Sequence, residues 1–314
     1  MRILMTIGLL TIGMGMSAQV ATDGTTASGI SSTAMGAGTT ASGDYSTAMG
    51  NGPTASGVNS TAMGGGTTAS GSSSTAMGNR TTASGSSSTA MGNTTTASGV
   101  NSTAMGIQTT ASGVNSTAMG NSTTASDYSS LSIGQFNKSN ATVTSGGSAT
   151  QFSKNNTAFV IGNGTSSNHS DAFKVMFNGD ATVSKDLTVN GVVNTSSDAR
   201  LKTDIMSLGG TLTKLLLIDG KSYTTKKDGR QTIGVLAQDI QEVFPELVTT
   251  DDNDMLAVNY QGLVPVLINA LKEQQVEIDK LKEQEAKVKE QEVKLQAQEE
   301  RLARLEAMIE EMNK

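Results

Sequence analysis

Cysteine and tryptophan are absent from this 314-residue chain, histidine occurs once, and aromatic residues make up only 3% of it. Without cysteine no disulfide can staple the fold, so stability must come from packing, repetition or oligomerisation. With so few aromatics one compact core is a poor expectation at this length, and an elongated molecule fits better. The single histidine, His169, lies in Ser166-Ser167-Asn168-His169-Ser170. It offers a transition metal no second ligand, so a surface-loop histidine is the simpler reading. Asp251, Asp252 and Asp254 suggest calcium, but they lack the glycine and distal glutamate of an EF-hand loop and read as a solvated turn. No metal and no cofactor is expected. The net charge is −6 with no basic cluster in the first two hundred residues, so nucleic acid is not an expected partner.

Long apolar runs are missing too, apart from a short one at the start. Met1-Arg2, the apolar stretch Ile3 to Met16 and then Ser17-Ala18-Gln19 have the layout of a secretory signal peptide, with cleavage expected after Ala18. The alternative is a short buried N-terminal strand or helix. The run is short for a membrane span, and no later one is longer. The expected mature protein is secreted, or held at the cell surface by something else, with no transmembrane anchor of its own.

What the chain has instead is repetition. From Thr25 to Gly134 a unit of fourteen recurs: Thr-Thr-Ala-Ser-Gly, four further positions, Ala-Met-Gly, two variable positions. Methionine falls at 35, 49, 63, 77, 91, 105 and 119, and Ile133 takes the next slot. Within the unit, glycine recurs every seventh residue from Gly29 to Gly120; Asp127 is the single departure. A seven-residue period invites a coiled coil, but its apolar positions would here be Ala and Gly. Each helical glycine would also cost about 1 kcal/mol relative to alanine. Strand alternation fits better: in Thr33-Ala34-Met35-Gly36, Ala and Gly face away from Thr and Met. Short strands joined by turns at Gly, Asn and Ser stack into a solenoid. The small inward residues imply a thin coil, which association of several chains would help to stabilise. The Thr pairs, such as Thr25-Thr26 and Thr39-Thr40, raise the further idea of a flat ice-binding array.

Downstream, Phe173, Val175 and Phe177 alternate, Asn178-Gly179 offers a hairpin turn, and Ala181-Thr182-Val183 follows. Leu187-Thr188-Val189 and Asn190-Gly191 repeat that pattern. After Lys202 the composition turns globular. Residues 234–248 read as a strand running into a short helix that stops at Pro245, Met255 to Tyr260 reads as a strand, and Leu263 opens a long helix. In that helix Leu267, Leu271, Ile278, Leu281 and Val288 form a seam. It slips phase near Leu295 and continues through Leu302, Leu305, Ile309 and Met312. At the junction, Ser197 and Lys202 stand five residues apart. That spacing fits a nucleophile and its base aimed at the chain's own backbone, or ordinary linker residues.

Two resemblances sharpen this. The fourteen-residue unit resembles the head repeats of YadA-like trimeric autotransporter adhesins. That resemblance implies a left-handed parallel β-roll, three rolls around one axis, and a head that meets a host, matrix or glycan surface, or serves as a spacer. Those adhesins end in a membrane barrel, whereas this chain ends in Glu310-Glu311-Met312-Asn313-Lys314.

The second half is similar to the peptidase S74 domain, the intramolecular chaperone of endosialidases and phage tail spikes. The match lies in Ser-Asp-x-Arg-Leu-Lys at 197–202, Gly-x-x-Ala-Gln-Asp at 234–239, Val-Phe-Pro-Glu-Leu-Val at 243–248 and Asn-Tyr-x-x-Leu from 259. It implies a C-terminal domain that trimerises, guides the upstream fibre and is released by self-cleavage between Ser196 and Ser197. Ser197 would be the nucleophile and Lys202 the general base, with Arg200 a candidate for lowering the lysine's proton affinity.

The expectation is a mainly β fibrous homotrimer with a small α/β chaperone domain and a C-terminal coiled coil. It divides into a signal peptide (1–18), β-roll head (19–134), β-rich shaft (135–196), chaperone core (197–262) and C-terminal helix (263–314). An uncut fibre with a permanent C-terminal clamp is the rival reading. A place on a virus particle is a third, against which the signal-like N-terminus argues.

Overall fold

The computed structural model describes residues 18–20, 23–138, 143–226, 228–250 and 254–313. Most of the expected signal peptide, and both Asp251 and Asp252, lie outside them. Asp254 is an exposed turn residue in the left-handed region, with φ 59°. Two compact units divide the chain between Val193 and Asn194.

The first unit is a parallel β-roll in which each fourteen-residue repeat makes one coil. A five-residue strand such as Thr75–Asn79, a turn, a two-residue strand such as Thr82–Ala83 and a second turn complete the circuit. Long strands pair in direct register with those of the next coil, Thr with Thr and Met with Met. The short ones form a separate 8-stranded sheet. Alternation decides what lies inside. The two alanines of each coil, from Ala34 to Ala125, are 0–1% exposed and form one continuous core. Methyl groups alone give little apolar burial per coil. Stability therefore rests on coil-to-coil hydrogen bonds and on the number of neighbours stacked.

Buried Ser and Thr hydroxyls also line the interior; Ser102 donates to the Gly99 carbonyl at 2.7 Å and Ser130 to that of Asp127 at 2.8 Å, while others, such as those of Ser74 and Thr81, make no hydrogen bond. The threonine pairs split, Thr39 turning inward and fully buried while Thr40 is only half-buried. From Thr39-Thr40 onward each pair thus presents one threonine outward, which does not make the doubled array the ice-binding idea needs. Pro53 takes the buried place of Thr39 and Thr67, one residue before the strand Thr54–Ala55, where no ladder donor is required.

Glycine at every seventh position is a matter of approach. A Cβ on Gly71 would overlap the backbone carbonyl of Gly85, so only hydrogen fits between coils. The first turn of each coil, between the long and the short strand, needs a left-handed residue. Glycine supplies it at 24, 38, 52 and 66, but Arg80, Thr94, Gln108 and Ser122 take over later. Thr94, β-branched at φ 57°, is the worst suited of these. Thr94→Gly should stabilise the roll by about 0.5–1 kcal/mol, relief of left-handed strain outweighing the added entropy of the unfolded chain. Thermal unfolding measures it.

The roll is capped by side chains that imitate a missing coil. Asn137 Oδ1 accepts from the Thr124 N–H at 2.7 Å and its Nδ2 donates to the Thr124 carbonyl at 2.9 Å, satisfying the last short strand. Asp127 interrupts the glycine column where a loop covers the last coil. Its carboxylate accepts from the N–H and hydroxyl of Thr144 (2.8 and 2.6 Å) and from the N–H of Thr157 (2.6 Å).

The sheet does not stop at 134. Thr157–Asn163 adds in parallel to Leu131–Gln135, then Asp171–Met176 and Ala181–Val183 add antiparallel around a turn with Gly179 at φ 97°. That hairpin matches the sequence expectation; Leu187-Thr188-Val189 does not. It forms no strand, and Leu187 is 71% exposed. His169 lies in the loop between Thr157–Asn163 and Asp171–Met176, as expected, and is half-buried there. Its ring meets Phe136 edge-on at 5.6 Å, and Nδ1 lies 3.0 Å from the Asn137 carbonyl.

The second unit packs α1 (Thr211–Leu215), α2 (Ala237–Val243) and the first turns of α3 (Leu263–Met312) around Ile240, Phe244 and Val266. Two small antiparallel hairpins flank them, Lys221–Thr224 with Gln231–Gly234 and Val248–Thr250 with Leu256–Val258. Beyond Ala270 the long helix has no buried residue. Leu271, Leu281 and Leu302 on its seam are 64, 63 and 60% exposed. Among the described residues, no helix is long and apolar enough to cross a membrane.

Candidate functional site

A short turn at the junction brings Ser197 and Lys202 together. Asp198 caps the 3-10 turn Ala199–Leu201, its Oδ1 accepting from the Arg200 N–H at 2.9 Å, and the Lys202 N–H closes the turn on the Ala199 carbonyl at 3.1 Å. Six residues thus fold back on themselves, and Lys202 Nζ donates to Ser197 Oγ at 2.7 Å. Both side chains are exposed in the single chain. Upstream, the Thr195 hydroxyl donates to Gln261 Oε1 at 3.0 Å, tying the residues ahead of Ser196–Ser197 to the 3-10 turn Tyr260–Gly262 that leads into α3.

Arg200 does not serve as a free cation for Lys202. Its guanidinium grips Asp198, with Nη2 2.6 Å from Oδ2 and Nε 3.1 Å from both oxygens. That grip, with the Arg200 N–H bond, holds the Asp198 carboxyl below its usual range, and Asp198 in turn raises Arg200. The pair is locally neutral, and its evident role is to set the turn. The sequence expectation that Arg200 pushes on the lysine is corrected accordingly.

Residues 178–210 are all exposed in the single chain although they carry Val192, Val193, Leu201, Ile205 and Met206. Within the second unit, the Glu273 carboxylate on α3 closes the start of α1. It accepts from the Leu212 N–H and from the N–H and hydroxyl of Thr211, each at 2.9 Å. The Leu212 N–H is the largest cause holding this carboxyl below its ordinary value of 4.5, followed by the Thr211 N–H. A depressed folded pKa means the cap stabilises the fold above pH 4.5 and fades as pH falls below it. Thermal unfolding between pH 7 and 3 should show the second unit weakening at the acid end, and Glu273→Gln should flatten that slope.

An apolar cleft of about 620 Å³, lined by Gly220, Lys221, Ser222, Ile233, Gly234, Val235 and Tyr260, lies in the same unit. The Tyr260 hydroxyl accepts from the Val235 N–H at 3.2 Å. Ser197 and Lys202 are not among the cleft's lining residues. Among the described residues no cluster of three His, Cys, Asp or Glu is placed to hold a metal.

Comparison with known proteins finds matches in two parts of the chain. Residues 27–52, 55–81, 83–109 and 111–137 match the YadA head domain repeat, two copies per match. Residues 197–249 match the peptidase S74 family, described as the chaperone of endosialidase. The chain therefore carries YadA head repeats upstream of a peptidase S74 chaperone domain. Among curated proteins it is similar to the long tail fiber protein Gp37 of Salmonella phage S16, 32% identical over 103 residues, which is 29% of this chain and 14% of that protein. The protein of the same name from Escherichia phage AR1 is 32% identical over 87 residues, 24% of this chain and 8% of its own length. The chain thus spans only a small part of these relatives.

Proposed function

We propose that this chain is the subunit of an exported homotrimeric fibre. Its C-terminal unit assembles the β-roll and then severs itself at Ser196–Ser197. The observation that carries this reading is the 2.7 Å contact between Lys202 Nζ and Ser197 Oγ, formed within an S74-matching segment at the boundary between two compact units. The similarity to phage tail fibres and to adhesin head repeats supports a fibre. The exposed α3 seam and the bare apolar segment before it support association, since a lone chain would leave both in water.

The chemistry follows from where Ser197 sits. Its Oγ lies on the leaving-group side of the scissile bond, so attack on the Ser196 carbonyl carbon closes a five-membered ring. A neutral Lys202 amine takes the hydroxyl proton and returns it to the departing Ser197 nitrogen as the C–N bond breaks. The chain is then joined by an ester between the Ser196 carbonyl and Ser197 Oγ. One water hydrolyses it, giving a Ser196 carboxylate and a fragment that begins at Ser197. Each chain can do this once.

A lysine accepts a proton only when its amine is neutral, a state that burial favours. Both side chains are exposed in the single chain, so that burial has to come from neighbouring subunits. This requirement ties the cut to finished assembly. The released trimer presents its roll to a host, matrix or glycan surface. The uncut clamp is the competing outcome of the same experiment: wild type should yield two fragments on denaturing gels, and Ser197→Ala a single full-length band. An intact wild type, or a Ser197→Ala chain that still cuts, refutes the catalytic half of the proposal.

A further inference from the structure

Every coil from the strand Thr33–Ala37 to the strand Thr117–Asn121 carries a methionine at its third position. These seven residues, Met35 to Met119, pair in direct parallel register. Neighbouring backbones therefore stand about 4.8 Å apart. Since the alanine before each faces inward, the methionine faces outward. Met35 and Met49 are each 37% exposed and the other five are half-buried. Packing does not demand sulfur here, because Ile133 and Ile161 continue the same column in the same register. Seven of the chain's 16 methionines stand in this one column of a protein that has no cysteine.

We propose that the methionine column binds soft monovalent cations, with copper(I) the physiological class. Thioethers are soft, neutral ligands that select copper(I) over harder divalent ions. The unbranched methionine arm is flexible enough for two neighbours on adjacent coils to converge on one ion. The residues flanking each methionine in its strand are Thr, Ala and Gly. No carboxylate there offsets a second positive charge, and an uncompensated charge is costly to desolvate. The column thus acts as a row of equivalent two-sulfur sites, independent of any cut at the junction.

The test uses the full chain and silver(I), a redox-stable probe of copper(I) sites, in equilibrium dialysis. Copper(I) held reduced by ascorbate repeats the measurement. Wild type should take up silver saturably and retain no zinc at the same concentration. The triple variant Met49→Ile, Met77→Ile, Met105→Ile keeps the methionines at 35, 63, 91 and 119 but leaves no adjacent pair. It should lose nearly all of the column's uptake, where independent sulfurs would lose it only in proportion to their number. Circular dichroism checks that the variant still forms the roll. A readout that needs no variant is the 13C-methyl spectrum: the column methionines should shift with silver while Met206 and Met255 stay in place. Absent saturable uptake by wild type, a proportional loss in the triple variant, or a spectrum in which the column does not move would each overturn the proposal.

Discussion

A Gly78→Ala chain should fail to build a continuous roll. Gly78 holds φ at 122°, a region that L side chains rarely adopt, and a Cβ there would lie inside the carbonyl of Gly92 on the next coil. The obstacle is backbone, so no side-chain rotation relieves it. The coils must part, which breaks the register of Thr75–Asn79 with Thr89–Asn93 on both sides of the substitution. Backbone strain and lost ladder bonds together should cost on the order of 3–5 kcal/mol. Because each coil touches only its neighbours, the damage should appear as a split unfolding transition rather than a uniform shift. Calorimetry distinguishes the two. A control, Gly209→Ala, meets nothing within 4 Å and should change little.

The second large effect concerns the junction. Lys202→Met should slow self-cleavage by about 10²–10⁴-fold, the usual contribution of a positioned base. The substitution keeps an unbranched, flexible arm of similar bulk and removes the terminal amine. Ser197 and the Asp198–Arg200 turn stay as they are, so assembly should proceed and uncut trimer should accumulate. Hydroxylamine offers an independent readout. It should accelerate fragment release in wild type by intercepting the ester, and do nothing to Ser197→Ala. A Lys202→Met chain that cuts at the wild-type rate would remove lysine from the mechanism and leave the serine to another base.

Much of the roll was legible in the sequence, because its period is its geometry: fourteen residues per coil put identical residues in register. The inward alanines and outward methionines follow from strand alternation alone. The caps were not legible. Asn137 satisfies Thr124 from 13 residues away, and Asp127 reaches Thr157 across 30, contacts that appear only once the coils are stacked. Asp127 looked like a lapse in the glycine column. It marks the place where a covering loop replaces the next coil. Leu187-Thr188-Val189 misled for the opposite reason: its alternation is that of a strand, but no neighbouring strand pairs with it. At the junction, spacing suggested Ser197 and Lys202, and the fold brings them into contact. The same spacing could not reveal that Arg200 is taken by Asp198, two residues away. The Glu273 cap on Thr211 spans 62 residues and has no local signature at all.

The most direct test of a self-severing assembly domain is the intact mass and N-terminal sequence of the smaller product from purified wild-type chain. Hydrolysis at Ser196–Ser197 predicts a fragment that begins Ser-Asp-Ala-Arg-Leu-Lys, present in equal amount with an upstream partner ending at Ser196. A chain that remains whole after assembling, or a fragment that begins at any other residue, would contradict it.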